Sequence, residues 1–160
     1  MRMSVGLSLI IVAVVAVFGL YVRLAPSDPA KWHINPLTKG QAGQPGGVLV
    51  SKQGGDFAAY EYALSPTTLL SMFDEVALAA PRTKILAGSL REGHITYITR
   101  SPFWGFPDYI SVLAVPTRDG ATLAIYSRLR FGQSDLGVNR KRLKAWLAQL
   151  DDKAAAHRLS

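Results

Sequence analysis

Apolar positions follow different rhythms along different stretches of this chain. From Met3 to Val22 no residue is charged, and Leu9-Ile10-Ile11-Val12-Ala13-Val14-Val15-Ala16-Val17-Phe18 is unbroken apolar sequence. Twenty helical residues rise about 30 Å, the thickness of a bilayer's hydrocarbon core, and within lipid a helix satisfies such a backbone internally. The pattern predicts a single-pass transmembrane helix over 1–25, with Tyr21 and Arg23 at its interfacial end. The rhythm then stops. Pro26, Pro29 and Pro36, followed by Gly40-Gln41-Ala42-Gly43-Gln44-Pro45-Gly46-Gly47, predict a juxtamembrane linker over 26–47. Within it Trp32 and His33 are candidates to fold onto the following domain. The glycines lack the Gly-Lys-Ser/Thr ending of a phosphate loop.

A globular domain is predicted over 48–152, with a flexible tail over 153–160. A strand is expected near 57–64. Ser65 then offers an N-cap oxygen and Pro66 a first helical position. Leu69, Leu70, Phe73, Val76, Ala77 and Ala80 recur at helical spacing, and Pro81 ends that helix. Four strand-like runs follow, at about 83–91, 94–101, 109–116 and 121–131, and their short joints make a meander of antiparallel neighbours. Leu136, Leu143, Trp146, Leu147 and Leu150 form the buried stripe of a last helix, capped by Ser134 or Asp135. The expected architecture is α+β: a curved antiparallel sheet of about five strands in β-α-β-β-β-β-α order, with two helices packed on one face.

Composition narrows the chemistry. With no cysteine among 160 residues, a disulfide framework, a thiolate zinc site, a cysteine nucleophile and a lipid-anchor cysteine are all excluded. The net charge is +7, and nine Lys/Arg against four Asp fall between Arg118 and Ser160. Such an excess attracts anions, although few aromatics interleave with it, which disfavours nucleic acid. His33, His94 and His157 have no metal-ligand spacing, so neither metal nor cofactor is expected. No Gly-x-Ser-x-Gly elbow and no pair of carboxylates across a cleft is visible, and no catalytic residue is assigned.

Counting across the meander places Arg100, Asp108 or Tyr109, and Arg128 in one row over three strands. Arg128 and Arg130 share a face, because strand side chains repeat every two residues. The chain then enters Ser134-Asp135-Leu136-Gly137 at the start of the last helix. Guanidinium groups beside free helical amides suit a carboxylate or phosphate. The candidate anion contacts are therefore Arg100, Arg128, Arg130, Arg140 and Gly137. The competing expectation is a structural network in which Asp108, Asp135 and Asn139 tie sheet to helix.

The run from Ser127 to Arg142 (Ser-Arg-Leu-Arg-Phe-Gly-Gln-Ser-Asp-Leu-Gly-Val-Asn-Arg-Lys-Arg) resembles the signature of a bacterial and plastid family called domain of unknown function 1499. Arg100-Ser101-Pro102-Phe103-Trp104-Gly105-Phe106-Pro107-Asp108 is similar to its second motif, and Leu24 to His33 to the lead-in of proteobacterial members. Leu129 stands where the family tends to have serine, and Pro107-Asp108 where it tends to have paired acids. The resemblance implies a fold and an arginine–aspartate region, and no reaction.

The functional expectation is a membrane-tethered, non-enzymatic binding or scaffolding domain that meets a small anion or a protein partner. A cleaved signal peptide competes with the anchor, but no Ala-x-Ala site follows the apolar run. A short leader before a long domain places that domain in the periplasm, at a bacterial inner membrane. The alternatives are a carrier of a lipid or other apolar ligand between sheet and last helix, and an enzyme using Asp108 or Asp135.

Overall fold

The computed structural model describes residues 2–157, with side chains from Gly6 onward. Helix α1 (Arg2–Leu24) is continuous, and over Gly6–Leu24 it is long and apolar enough to cross a membrane. Two four-residue helices follow, α2 (Pro29–Trp32) and α3 (Pro36–Lys39). Each begins the same way. Asp28 or Asn35 caps the helix with its side-chain oxygen, and a proline with preset φ takes the first position.

Seven strands form one open sheet: β1 (Gly47–Ser51), β2 (Phe57–Ala58), β3 (Glu61–Tyr62), β4 (Thr83–Ser89), β5 (His94–Arg100), β6 (Pro107–Pro116) and β7 (Ala121–Leu129). The order is β2-β1-β7-β6-β5-β4, with β3 also pairing β7. The four-strand meander is present as expected. The count of about five grows to seven because the short run Val48-Leu49-Val50 pairs with β7, and the expected 57–64 strand divides into two two-residue pieces.

Helix α4 (Pro66–Ala79) starts with Ser65 accepting from the Thr68 amide at 3.1 Å. Helix α5 (Val138–Lys153) buries Leu143, Trp146 and Leu150. Both helices cover one face of the sheet, and Phe73, Tyr97 and Trp146 pack edge-to-face or tilted at its centre. Tyr97 is fully buried, with its hydroxyl donating to Asp74 at 2.8 Å. At its centre the space between sheet and α5 is filled by these side chains.

The opposite face is covered by the predicted linker. Trp32 stacks on Tyr109 with ring centroids 4.0 Å apart, and His33 stacks on His94 at 3.8 Å. Ser27 and Tyr109 share a hydrogen bond of 2.7 Å. Residues 25–39 therefore form a third layer rather than a loose lead. The expected tail is also ordered as far as residue 157: Ala154 is fully buried, and the His157 carbonyl accepts from the Ala63 amide at 2.5 Å. Positions 158–160 lie outside the described residues.

Candidate functional site

Strand periodicity separates the predicted site residues. In β6 and β7, Asp108, Ile110, Val112, Ile125 and Ser127 face the helices, whereas Tyr109, Ser111 and Arg128 face the linker. Tyr109 lies opposite Arg128 as expected. Arg100, expected opposite Asp108 or Tyr109, pairs instead with Pro107. The hairpin closes one step earlier, where the Ser101 amide donates to the Phe106 carbonyl at 2.9 Å, so that Pro107 enters the strand.

Arg128 and Arg130 hold the chain's own backbone. Arg128 donates to the Trp32 carbonyl at 2.5 Å, and its guanidinium lies 5.4 Å from the Trp32 ring centre. Arg130 donates to the Pro26 carbonyl at 2.8 Å and to the Tyr109 hydroxyl at 3.2 Å. No carboxylate neutralises Arg128 among the described residues. Burial pulls its pKa down to about 10. These two arginines clamp the third layer, and their cationic forks are occupied by carbonyl oxygens.

The aspartates belong to the other face. Asp135 accepts from the Gly137 amide at 3.0 Å and the Asn139 amide at 2.6 Å. The first turn of α5 thus already holds an anion, supplied by the chain, and the Gly137 amide is not free for another. Asn139 is 1% exposed, accepts from Ser127 and Arg142 at 2.6 Å each, and donates to the Gly46 carbonyl at 3.2 Å. Arg142 also pairs with Asp108 at 3.1 Å. Burial pushes the Asp108 carboxyl up, and the Arg142 guanidinium pulls it back. Asp108, Asp135 and Asn139 thus form a network with Arg142, not with Arg100, Arg128 or Arg130. Sequence reasoning missed Arg142, although its i+3 spacing from Asn139 places both on one helix face. Arg140 stands apart, paired with Asp56 at 3.2 Å.

Two recesses flank the carboxyl-terminal end of α1. One, of about 560 Å³, is lined by Phe18, Phe106, Phe131, Leu129 and Val138, with Asp108 and Asp135 at its wall. The other, of about 470 Å³, is lined by Arg23, Arg82, Lys84 and Arg100 together with Thr83, Ile98, Ser101, Pro102 and Gly105. Four cations meet there without a carboxylate. Arg23 donates to the Phe103 carbonyl at 2.6 Å, Arg82 to the Arg100 carbonyl at 3.1 Å, and Arg100 to the Gly105 carbonyl at 2.7 Å. Each of these bonds orients a guanidinium without cancelling its charge. Arg82 follows Pro81 with φ of 59°, the left-handed conformation in which glycine is usual. Only Arg100 of this group was foreseen. Arg82 and Lys84 lie two residues apart at the start of β4, whereas Arg23 comes from α1, far earlier in the chain. Among the described residues no group of three metal-ligating side chains occurs.

A family model described as "Protein of unknown function (DUF1499)" matches residues 41–150. None of the curated proteins matches the chain. Several solved structures are similar. One, from Chromobacterium violaceum, is 14% identical, with a TM-score of 0.47 and coverage of 69% of this chain and 98% of its own. Another, from Mesorhizobium loti, is 13% identical, with a TM-score of 0.42 and coverage of 67% and 97%.

Proposed function

We propose that the chain, which belongs to the DUF1499 family, is a membrane-anchored, non-enzymatic binding domain of the bacterial cell envelope that captures an anion in the recess of Arg23, Arg82, Lys84 and Arg100. In this reading α1 is an uncleaved anchor in the inner membrane and the domain is periplasmic. Packing between α1 and the domain supports retention of the helix. Val22 is fully buried, Phe18 packs on Phe106 with centroids 6.2 Å apart, and Tyr21 meets Phe131 edge-on at 6.0 Å. A signal peptide destined for removal has no reason to pack its end against its cargo.

The convergence of four cations from α1, the α4–β4 turn, β4 and β5 without a carboxylate carries the anion reading. Guanidinium forks offer paired donors to phosphate or carboxylate oxygens, and Lys84 adds a point charge. The test is a titration of the detergent-solubilised full chain with inorganic phosphate, followed through the arginine Nε resonances. Those of Arg23, Arg82 and Arg100 should move together, while those of Arg128 and Arg140 stay fixed. Movement of Arg128 or Arg140 alone would refute the site.

A further inference from the structure

The basic recess continues into an apolar groove. This groove, of about 480 Å³, runs between α1 and the β5–β6 hairpin tip and is lined by Ile11, Val15, Gly19, Arg23, Phe103 and Trp104, among others. Arg23 lines both spaces. From Ile11 to Arg23 the helix rises about 18 Å, close to the roughly 15 Å depth of one leaflet's hydrocarbon. The charged end of the combined site is therefore at the end of the apolar span, and the apolar end is within it.

The hairpin tip is made for this depth. Pro102-Phe103-Trp104-Gly105-Phe106 carries no charge, and Phe103 is 77% exposed. Gly19 lies against the Trp104 ring, five residues or about 7 Å inside the end of α1. An irregular backbone can enter that zone only if its polar groups find partners. Here the Gly105 amide donates to the Ser101 carbonyl at 3.2 Å, and the Phe106 amide to the Ser101 hydroxyl at 2.9 Å. The Phe103 and Gly105 carbonyls are taken by Arg23 and Arg100.

We infer that the site binds a single anionic phospholipid of the membrane holding α1, with the phosphate among Arg23, Arg82, Lys84 and Arg100 and one acyl chain along the groove beneath Trp104. This rests on the anion reading above and adds the ligand class. Arg23 and Arg100 each hold the hairpin by a backbone bond. Arg82, which holds the Arg100 carbonyl through Nε, and Lys84 are the cations left for the headgroup, and their removal leaves the bonds within the hairpin tip in place.

The experiment uses the full chain in neutral detergent and native mass spectrometry with three probes: a short-chain phosphatidylglycerol, the phosphatidylcholine of the same chain length, and inorganic phosphate. Phosphatidylglycerol should be retained at least tenfold more tightly than phosphatidylcholine. The double variant Arg82→Gly/Lys84→Gln should erase that preference, with an unchanged circular dichroism spectrum. Trp104→Ala should weaken both lipids and leave inorganic phosphate unaffected. If phosphate binds in a manner abolished by the double variant but the two lipids bind alike, the anion site stands and the lipid inference is overturned. If phosphate and phosphatidylglycerol both fail to bind, both readings fall. A phosphatidylglycerol preference that survives the double variant would place the lipid elsewhere and overturn the inference.

Discussion

Replacing Trp32 by alanine should detach the third layer while leaving the sheet intact. The Trp32 ring is half-buried, stacked 12° from parallel on Tyr109, and approached by Lys31, Arg128 and Arg130 at 5.4, 5.4 and 5.9 Å. A fully buried tryptophan is worth about 3–5 kcal/mol against alanine, so half burial gives about 2. The stacked pair adds about 1 kcal/mol beyond burial. The arginines regain hydration when the ring is gone, which offsets their cation–π attraction, so the sum stays near 3 kcal/mol. At 1.4 kcal/mol per factor of ten, this corresponds to about a hundredfold larger open population of the linker. The carbonyl at position 32 survives the substitution and still accepts from Arg128, so only the ring is tested. Hydrogen exchange reads the result. The His33 amide, bonded to the Pro29 carbonyl at 2.8 Å, should exchange about a hundredfold faster, while the β6–β7 ladder keeps its protection. Unchanged exchange at His33 would show that the stack does not hold the linker. An equal loss across β6–β7 would show that the linker is no separate layer.

Three further outcomes follow from the same contacts. Asn139→Ala strands the Ser127 hydroxyl and takes an acceptor from the part-buried Arg142, and should cost about 3 kcal/mol, lowering Tm by about 15 °C for a domain of this size; a calorimetric shift under 3 °C would remove Asn139 from the framework. The stacked His33 and His94 are both held below the usual imidazole range, chiefly by burial, and for His94 also by the other imidazole, with Glu92 opposing in each case. A base with a lowered folded-state pKa contributes in full above the unfolded value near 6.5 and loses its contribution as pH falls, so linker protection should decline below about pH 6.5, and in His94→Gln that decline should shrink. Gly88→Ala places a methyl group 2.0 Å from the His94 carbonyl and 2.9 Å from the His33 ring at φ of +84° and should disrupt β4 beside its bulge, seen as lost amide protection in β4–β5 and at His33.

The sequence displayed α1, α4, α5 and the meander clearly, because their apolar periods are long, whereas the four-residue α2 and α3 were hidden in the predicted linker. Ser65-Pro66 at one end of α4 and Pro81 just beyond the other are signals within a few residues of what they control. Strand β1 was hidden because Val48-Leu49-Val50 is only three residues long and acquires its meaning from β7, some 75 residues away. The linker's role was half visible. Trp32 and His33 were conspicuous in a polar stretch, but nothing local says that Tyr109, His94 and Arg128 receive them. The arginine row was legible in position and not in partner. Alternation put Arg128 beside Tyr109, yet the oxygens it binds belong to backbone, which composition does not record. The basic recess was the least legible part, since Arg82 and Lys84 meet Arg100 through β4–β5 pairing and Arg23 joins them only where α1 docks beside the hairpin.

That docking has a chemical consequence for the two recesses. The same end of α1 separates a cationic space from one walled by Asp108 and Asp135, about 470 and 560 Å³ respectively. An anion at this end of the molecule meets attraction on one side of the helix and carboxylates on the other. In the proposed site the phosphate would therefore be directed to Arg82 and Lys84 rather than to the aromatic recess beneath Phe106 and Phe131.

The placement of the hairpin tip in the membrane is the point on which this account turns, and the absence of cysteine makes it directly measurable. A spin label introduced by Phe103→Cys sits at a 77% exposed position on the tip. One introduced by Asp119→Cys lies on the exposed turn at the other end of β6, whose ten residues span about 30 Å. In proteoliposomes the label at 103 should be accessible to oxygen and shielded from a water-soluble nickel complex, with the reverse at 119. If both labels collide equally with the aqueous nickel complex, the tip is not in the bilayer, and the membrane-facing site proposed for this domain is wrong.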